Sequence, residues 1–460
     1  MSLNTLVDYI SNSQITSELI KRISKNNELN IVGSSRYAKS IILDSIAKKE
    51  EKNILLICPN VEIAYKWIGY FESINDKAVL YYPPTEHLPY SSINKSKEIE
   101  FSQLTVLSKL IKKEKNELNI VISTERSLQP HLINKNLLIE NKLDLQKGVQ
   151  IEIQELANKL TLLGYTKDNV TSTEGFWSRR GEIIDIYPVN NEFPIRLEFF
   201  DNVIEKIREY DPHTQKTLES INNIEIIQAG FDLLIKDKLN NLSKNSLFNS
   251  EDINKNNLDR YLGIIEEEPS NIIDFINRET ILVIDELEDC KKFANNWYLD
   301  SESNFDNCAY ELNENLKNND INLEAKPNLH LKFDEIINSL GNFNLIKFYE
   351  FESKINIDNR FLLNDKRLNS YSKNIGKLSN DINKNIKNNE KVWILSAQPL
   401  RTRTLLFEHE CNTNFLNNPN DIDEAFKSIN NSTPLILKNK NNYEIEGFYL
   451  PIWKVVLITD

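Results

Sequence analysis

The sequence predicts an α/β chain in three parts: a parallel-sheet domain, a small α+β insert that splits it, and a small α/β domain at the end. Three observations predict this. Short apolar runs alternate with helically spaced segments over residues 1–145, the pattern of a parallel sheet covered by helices. From 146 the period changes to two, as in antiparallel strands. After 376 apolar runs and helices alternate again. The expected limits are 1–145 and 226–345 for the two parts of the first domain, 146–225 for the insert, 346–375 for a linker and 376–460 for the last domain.

The elements follow in order. "ELNIVG" is a short apolar strand ending in Gly33, and "KSIILDSIAKKEE" continues with helical spacing. "KNILLICP" is a buried-type strand stopped by Pro59. "NVEIAYKWIGYFESI" is helical with Asn60 as its N-cap. "AVLYYPP" and "ELNIVISTERSL" supply two more strands. "VQIEIQELANKLTLLGY" opens the insert as a helical stretch, and the strands of 178–201, "IEKIREYD" and "IEIIQA" complete it. Residues 226–345 read as mainly helical around one buried strand, "TILVIDELED". The stretches near 320–330 and 365–375 read as connectors. "KVWILSA", "TPLILK" and "KVVLITD" are the strands of the last unit.

With 460 residues, 40% hydrophobic and 27% charged, the chain has the composition of a globular protein with sizeable cores. No run of about 18 apolar residues exists to span a membrane, and the N-terminus lacks the basic start and apolar stretch of a signal peptide. Cys58, Cys290, Cys308 and Cys411 have no metal-ligand spacing and read as reduced cytosolic thiols. No histidine pair has ligand spacing either, so no metal site is expected. The net charge is −13. Basic runs such as "KKEKNELN" and "KLSNDINKNIKNNEK" are diluted by Glu, Asp and Asn and read as solvated helix faces. Only weak, salt-sensitive DNA binding is expected of such a chain.

Two segments bear on chemistry. "GSSRYAKS", Gly33 to Ser40, meets the G-x-x-x-x-G-K-[ST] phosphate-loop pattern except at Ala38, which stands at the second glycine. In a working loop, backbone N–H groups cradle phosphates, Lys39 reaches the β/γ oxygens and Ser40 serves Mg²⁺. Ala38 adds a Cβ where backbone must come close to the ligand. "ILVIDELED" ends in Asp285 and Glu286, as a strand does that holds Mg²⁺ and activates water. The same residues also fit a buried strand ending in an acidic turn. Both halves in one chain point to a degenerate, helicase-like nucleotide fold. "SAQPLRTRT" is too loose to be a helicase closing motif, and no second motor domain follows.

In "PIRLEFFD", Ile195, Leu197 and Phe199 share one face, and Arg196, Glu198 and Phe200 the other. Arg180 precedes the partner strand "EIIDIYP". Two readings fit. In one, Arg180, Arg196 and Phe200 form an outward protein-binding hot spot. In the other, Arg196 pairs with Glu198 or Asp185, and Phe200 covers a helix. On the first reading, alanine at any of the three weakens partner binding and leaves stability nearly intact.

The segment "RRGEIIDIYPVNNEFPIRLEFFDNVIEKIREYDPHTQKTL" closely resembles the part shared by the excision-repair subunit UvrB and the bacterial transcription-repair coupling factors. The pattern is carried by Arg180, Gly181, Asp185, Tyr187, Pro188, Pro194, Arg196, Phe199, Phe200, Arg208, Asp211 and Gln215. "YYPPTEHLPYSS" and "GFYLPIWKVVLITD" resemble coupling-factor segments, the second being the strand before an RNA-polymerase-binding domain. The resemblance covers essentially the whole chain and favours the coupling factors, since UvrB would carry an intact phosphate loop.

The resemblance implies a UvrB-like module whose insert recruits UvrA, with Arg180, Arg196 and Phe200 at the contacting positions. It implies that the nucleotide site at Gly33, Lys39, Ser40, Asp285 and Glu286 is lost, so that the chain needs no ATP or Mg²⁺ and is no enzyme. RNA polymerase and DNA are then engaged by domains absent from these residues, and ATP drives the translocase there. The rival readings are a UvrB-type ATPase using Lys39, Ser40, Asp285 and Glu286, and a free-standing UvrA-binding adaptor. The stop at Asp460, directly after an apolar strand, fits either a fragment or a natural end. A cytoplasmic location is expected.

Overall fold

A computed structural model of the chain describes all residues except 1–2, 75–78, 94, 112–118, 244–257, 267–268, 353–358, 369–370, 372–373, 417–421, 440–444 and 460. Most of the lysine/glutamate run at 112–119 therefore lies outside the described residues, as does Asp460. The helix Ile375–Lys387 does carry Lys377, Lys384 and Lys387 on an exposed face, while Leu378 and Ile382 point inward.

A seven-stranded sheet organises the first domain, in the order Arg360–Leu362, Glu28–Val32, Asn344–Tyr349, Ile281–Asp285, Ile54–Cys58, Ile120–Thr124, Val79–Tyr82. All its neighbours pair in parallel. Ile54–Cys58 and Ile281–Asp285 are buried at every position, because helices cover both faces and no side of the sheet meets water. The helix Val61–Ile74 starts where Asn60 Oδ1 accepts the N–H of Ile63 at 2.9 Å, as expected of an N-cap.

The expected linker over 346–375 is overturned. Asn344–Tyr349 is an inner strand of the first sheet, Arg360–Leu362 is its edge, and Lys366–Leu368 opens the last sheet. The strands are short or interrupted by polar residues, as at Asn344 and Lys347. Pairing, which the sequence pattern does not show, makes them strands.

The insert is a six-stranded sheet, ordered Thr217–Ile221, Val203–Tyr210, Ile195–Phe200, Ile183–Ile186, Phe176–Arg180, Thr166–Lys167, antiparallel except for the last pair. One face packs on the helix Ile153–Leu162. That helix begins four residues later than the stretch from Val149 suggests. Its buried residues Ile153, Leu156, Ala157 and Leu160 follow i, i+3, i+4, i+7, and they share a core with Ile184, Ile195, Leu197 and Ile207.

The last domain is a six-stranded sheet in the order Lys366–Leu368, Gly447–Leu450, Val455–Thr459, Lys391–Ser396, Leu435–Lys438, Asn414–Phe415. Alternation along Lys391–Ser396 sends Trp393 and Leu395 into the core shared with the first domain, and Val392 and Ile394 into a core of its own. Trp393 Nε1 donates to Thr5 Oγ at 3.2 Å and Trp453 Nε1 to Ser13 Oγ at 3.0 Å. These bonds fix the last domain on the N-terminal helices. No helix among the described residues is long and apolar enough to cross a membrane.

Candidate functional site

The phosphate-loop segment sits at the carboxyl end of Glu28–Val32, where ligands of parallel sheets bind. A Cβ on Gly33 would stand 2.6 Å from Leu363 Cδ1 and 2.7 Å from Asp365 Oδ1, so any larger residue must displace these side chains. Ser35 caps the helix Arg36–Glu50 by accepting the N–H of Ala38. Ala38 is therefore ordinary helical backbone and needs no positive φ. What fills the cradle is Asp365. Its carboxylate accepts Ser34 N at 2.8 Å, Ser35 N at 2.7 Å and Ser34 Oγ at 3.0 Å.

The remaining motif residues face inward. Lys39 is 1% exposed. Its Nζ donates to the Tyr349 carbonyl at 3.0 Å and lies 5.5 Å from the Phe348 ring centre. Burial pulls its pKa down, opposed by the nearby Asp285 and Glu286 carboxylates. Ser40 Oγ donates to Tyr37 O at 2.7 Å. Asp285 Oδ2 accepts Arg36 Nε at 2.7 Å and Trp67 Nε1 at 2.9 Å. Glu286 turns the chain at φ 55° into the helix Leu287–Asn318 and accepts the N–H of Glu350 at 2.5 Å. Lys39, Ser40, Asp285 and Glu286 thus each have an internal partner, and the set does not fit a nucleotide with Mg²⁺. A cavity of about 610 Å³ opens beside Arg36, Lys66 and Arg367. Its cations are already paired, with Asp285, Glu62 and Glu350 respectively.

At the carboxyl end of Ile120–Thr124, burial pushes Glu125 up to about 8, against smaller lowering contributions from hydrogen bonds with the backbone N–H groups of Arg126 and Glu125. A carboxyl raised above its unfolded value of about 4.3 keeps a proton in the folded state that the unfolded chain has lost. Stability therefore falls as pH rises from about 4.5 to about 8. Glu125→Gln is expected to flatten that fall, read as the slope of Tm against pH.

The insert brings the other predicted residues together. Gly181, at φ 63°, sits in the two-residue turn between Arg180 and Ile183. Asp201 and Asn202, at φ 50° and 64°, form the next turn and leave Phe200 at its base, 70% exposed. Phe200 therefore covers no helix. Register places Asp185, Arg196 and Arg208 side by side across three strands. Arg180 lies across from Ile183, which pairs with Glu198.

Arg196 is not free. Its Nε and one terminal nitrogen donate to Asp185 at 2.7 and 2.9 Å, and the latter also donates to Gln215 Oε1 at 2.9 Å. The guanidinium lies 4.5 Å from the Tyr210 ring centre. The Asp185 hydrogen bond and charge raise its pKa. Arg180 reaches Asp185 at 3.3 Å, with its side chain 55% exposed. The expectation that Arg196→Ala leaves stability intact is thus corrected: Asp185, 1% exposed, depends on it. The hairpin Asp211–Gln215 serves this arrangement. Asp211 Oδ1 accepts the N–H groups of His213 and Thr214 at 2.9 and 2.7 Å, and Gln215, at φ 59°, is aimed at Arg196.

Sequence reasoning missed Tyr210 and Asp365. Tyr210 follows Arg208 by two, a spacing that put it within reach of the signal. Asp365 is 330 residues from Ser35 and carried none.

Residues 143–230 match the family described as the UvrB interaction domain, and residues 367–460 match the one described as "Cyanobacterial Mfd, Rossmann-like domain". The transcription-repair-coupling factor of Staphylococcus epidermidis is 28% identical over 316 residues, 62% of this chain and 26% of that protein. The chain is similar to the transcription-repair coupling factors. The Bacillus subtilis factor is 28% identical over 286 residues, covering 56% of this chain and 24% of its own length. The Haemophilus influenzae factor is 27% identical over 194 residues, 42% and 16% respectively. The matched part thus spans about a quarter of the first two coupling factors, and the match at 367–460 supports the coupling factors over UvrB.

Proposed function

We propose that this chain is a non-catalytic adaptor, the N-terminal UvrB-like module of a transcription-repair coupling factor, and that its insert recruits UvrA in transcription-coupled nucleotide excision repair. The observation that carries this reading is the UvrB interaction domain match over 143–230. It falls on a sheet whose open face displays Phe200, Arg180 and Arg208 beside a clamped Arg196. An exposed aromatic next to arginines suits an acidic partner surface that closes over it and excludes water. On this reading RNA polymerase and DNA are engaged by regions of the coupling factors beyond the matched quarter, and the protein works in the cytoplasm. A competition assay tests the adaptor role: the chain should displace UvrB from UvrA in proportion to its concentration. UvrA binding that is unaffected by an excess of the chain removes the role.

The adaptor has no nucleotide chemistry of its own and needs neither ATP nor Mg²⁺. The inward commitments of Lys39, Ser40, Asp285 and Glu286 support this. No ATP turnover is expected, and Lys39→Met should hold or raise Tm. Methionine keeps the volume and removes a buried charge, while Tyr349 O retains the Gly33 N–H at 3.0 Å. ATP hydrolysis by the wild type that Lys39→Met abolishes would establish a working site.

A further inference from the structure

The loop at Gly33–Ser35 has the build of an anion site and already holds an anion. Val32 pairs with Leu362 in parallel register, so Ser35 and Asp365 each lie three residues beyond a matched pair at the same end of the sheet. Asn364, at φ 50°, turns the chain over the loop. The Asp365 carboxylate then takes two backbone N–H groups and one hydroxyl at 2.7 to 3.0 Å, next to the first turn of Arg36–Glu50. Those donors and the positive end of the helix are what a phosphate would use. Arg367, two residues on, donates through Nε to the Ser34 carbonyl at 3.0 Å and pairs with Glu350 at 3.2 Å. Arg367 belongs to Lys366–Leu368, the first strand of the last sheet.

We propose that Asp365 is a built-in substitute for phosphate: it seals the old nucleotide loop from within and, with Arg367, latches the last domain onto the first. The loop stays ordered without ligand because its anion is covalently part of the chain. The proposal concerns a site apart from the insert and does not depend on what the insert binds.

The test is chemical rescue on the full chain. In chloride buffer Asp365→Ala should melt below wild type. Inorganic phosphate, against sodium chloride of equal ionic strength, should raise the Tm of Asp365→Ala by about 2 °C or more once it exceeds its Kd about tenfold. Wild type should show no phosphate-specific shift. A variant that phosphate does not stabilise, or a wild type that phosphate stabilises equally, overturns the proposal. If Asp365→Ala does not fold, the near-isosteric Asp365→Asn decides. Amide exchange at Ser34 and Ser35 should be about tenfold faster than in wild type, since a neutral acceptor holds these N–H groups more weakly. Unchanged exchange overturns the latch.

Discussion

Arg196→Ala is expected to destabilise the inserted sheet by about 3 kcal/mol, the cost of stranding a buried charge. Asp185 is 1% exposed and receives two hydrogen bonds from Arg196, at 2.7 and 2.9 Å, against a single one from Arg180 at 3.3 Å. Removing Arg196 leaves the carboxylate with the weakest of its charged partners. It also frees Gln215 and uncovers Tyr210. Amide exchange along Ile195–Phe200 reads the local loss without averaging over the other domains. The double variant Asp185→Ala/Arg196→Ala should lose less than the sum of the single ones, because the stranded charge goes with its partner. A single-variant loss under about 0.5 kcal/mol, the range of an ordinary surface site, would show that solvent carries Asp185 alone. Any weakening of partner binding by Arg196→Ala therefore includes loss of the frame that holds the face.

The legible parts of the fold were those with periodicity. The apolar runs at Ile54–Cys58 and Ile281–Asp285 announce inner parallel strands, and the period of two at Ile195–Phe200 gives the buried and open faces residue by residue. Asn344–Tyr349 was missed in part because Asn344 and Lys347 interrupt its apolar pattern. Lys347 is accommodated by an ion pair to Glu28 at 2.9 Å from the neighbouring strand. That is tertiary information, absent from a local window.

The candidate site divides the same way. Arg180 and Phe200 stand at turn-flanking positions whose exposure follows from the strand pattern. Arg196 shares that outward face, yet its partners decide its role, and a one-strand pattern leaves Asp185 and Glu198 equally eligible. Register resolves the choice by setting Asp185 directly opposite Arg196. The phosphate-loop residues are visible by type in the sequence, but what surrounds them is not. Ala38 is unstrained helix, and the blocking carboxylate arrives from a strand end more than 300 residues later.

The central claim is that the open face of the insert meets UvrA, and Phe200 tests it most directly. Its ring is 70% exposed beside the Asp201–Asn202 turn, and Phe199, which faces the core, is 5% exposed. Phe200→Ala therefore removes apolar area that only a partner can bury. A hot-spot aromatic truncated to alanine costs about 2 kcal/mol or more, a tenfold or greater rise in Kd. Arg180→Ala should act in the same direction, since Asp185 keeps both bonds from Arg196 and the fold is spared. The measurement is calorimetric titration of UvrA into wild type and Phe200→Ala, with a melting curve for each. The account predicts a tenfold or greater loss of affinity at an unchanged Tm. Equal affinity for the two proteins, with Tm equally unchanged, would contradict it.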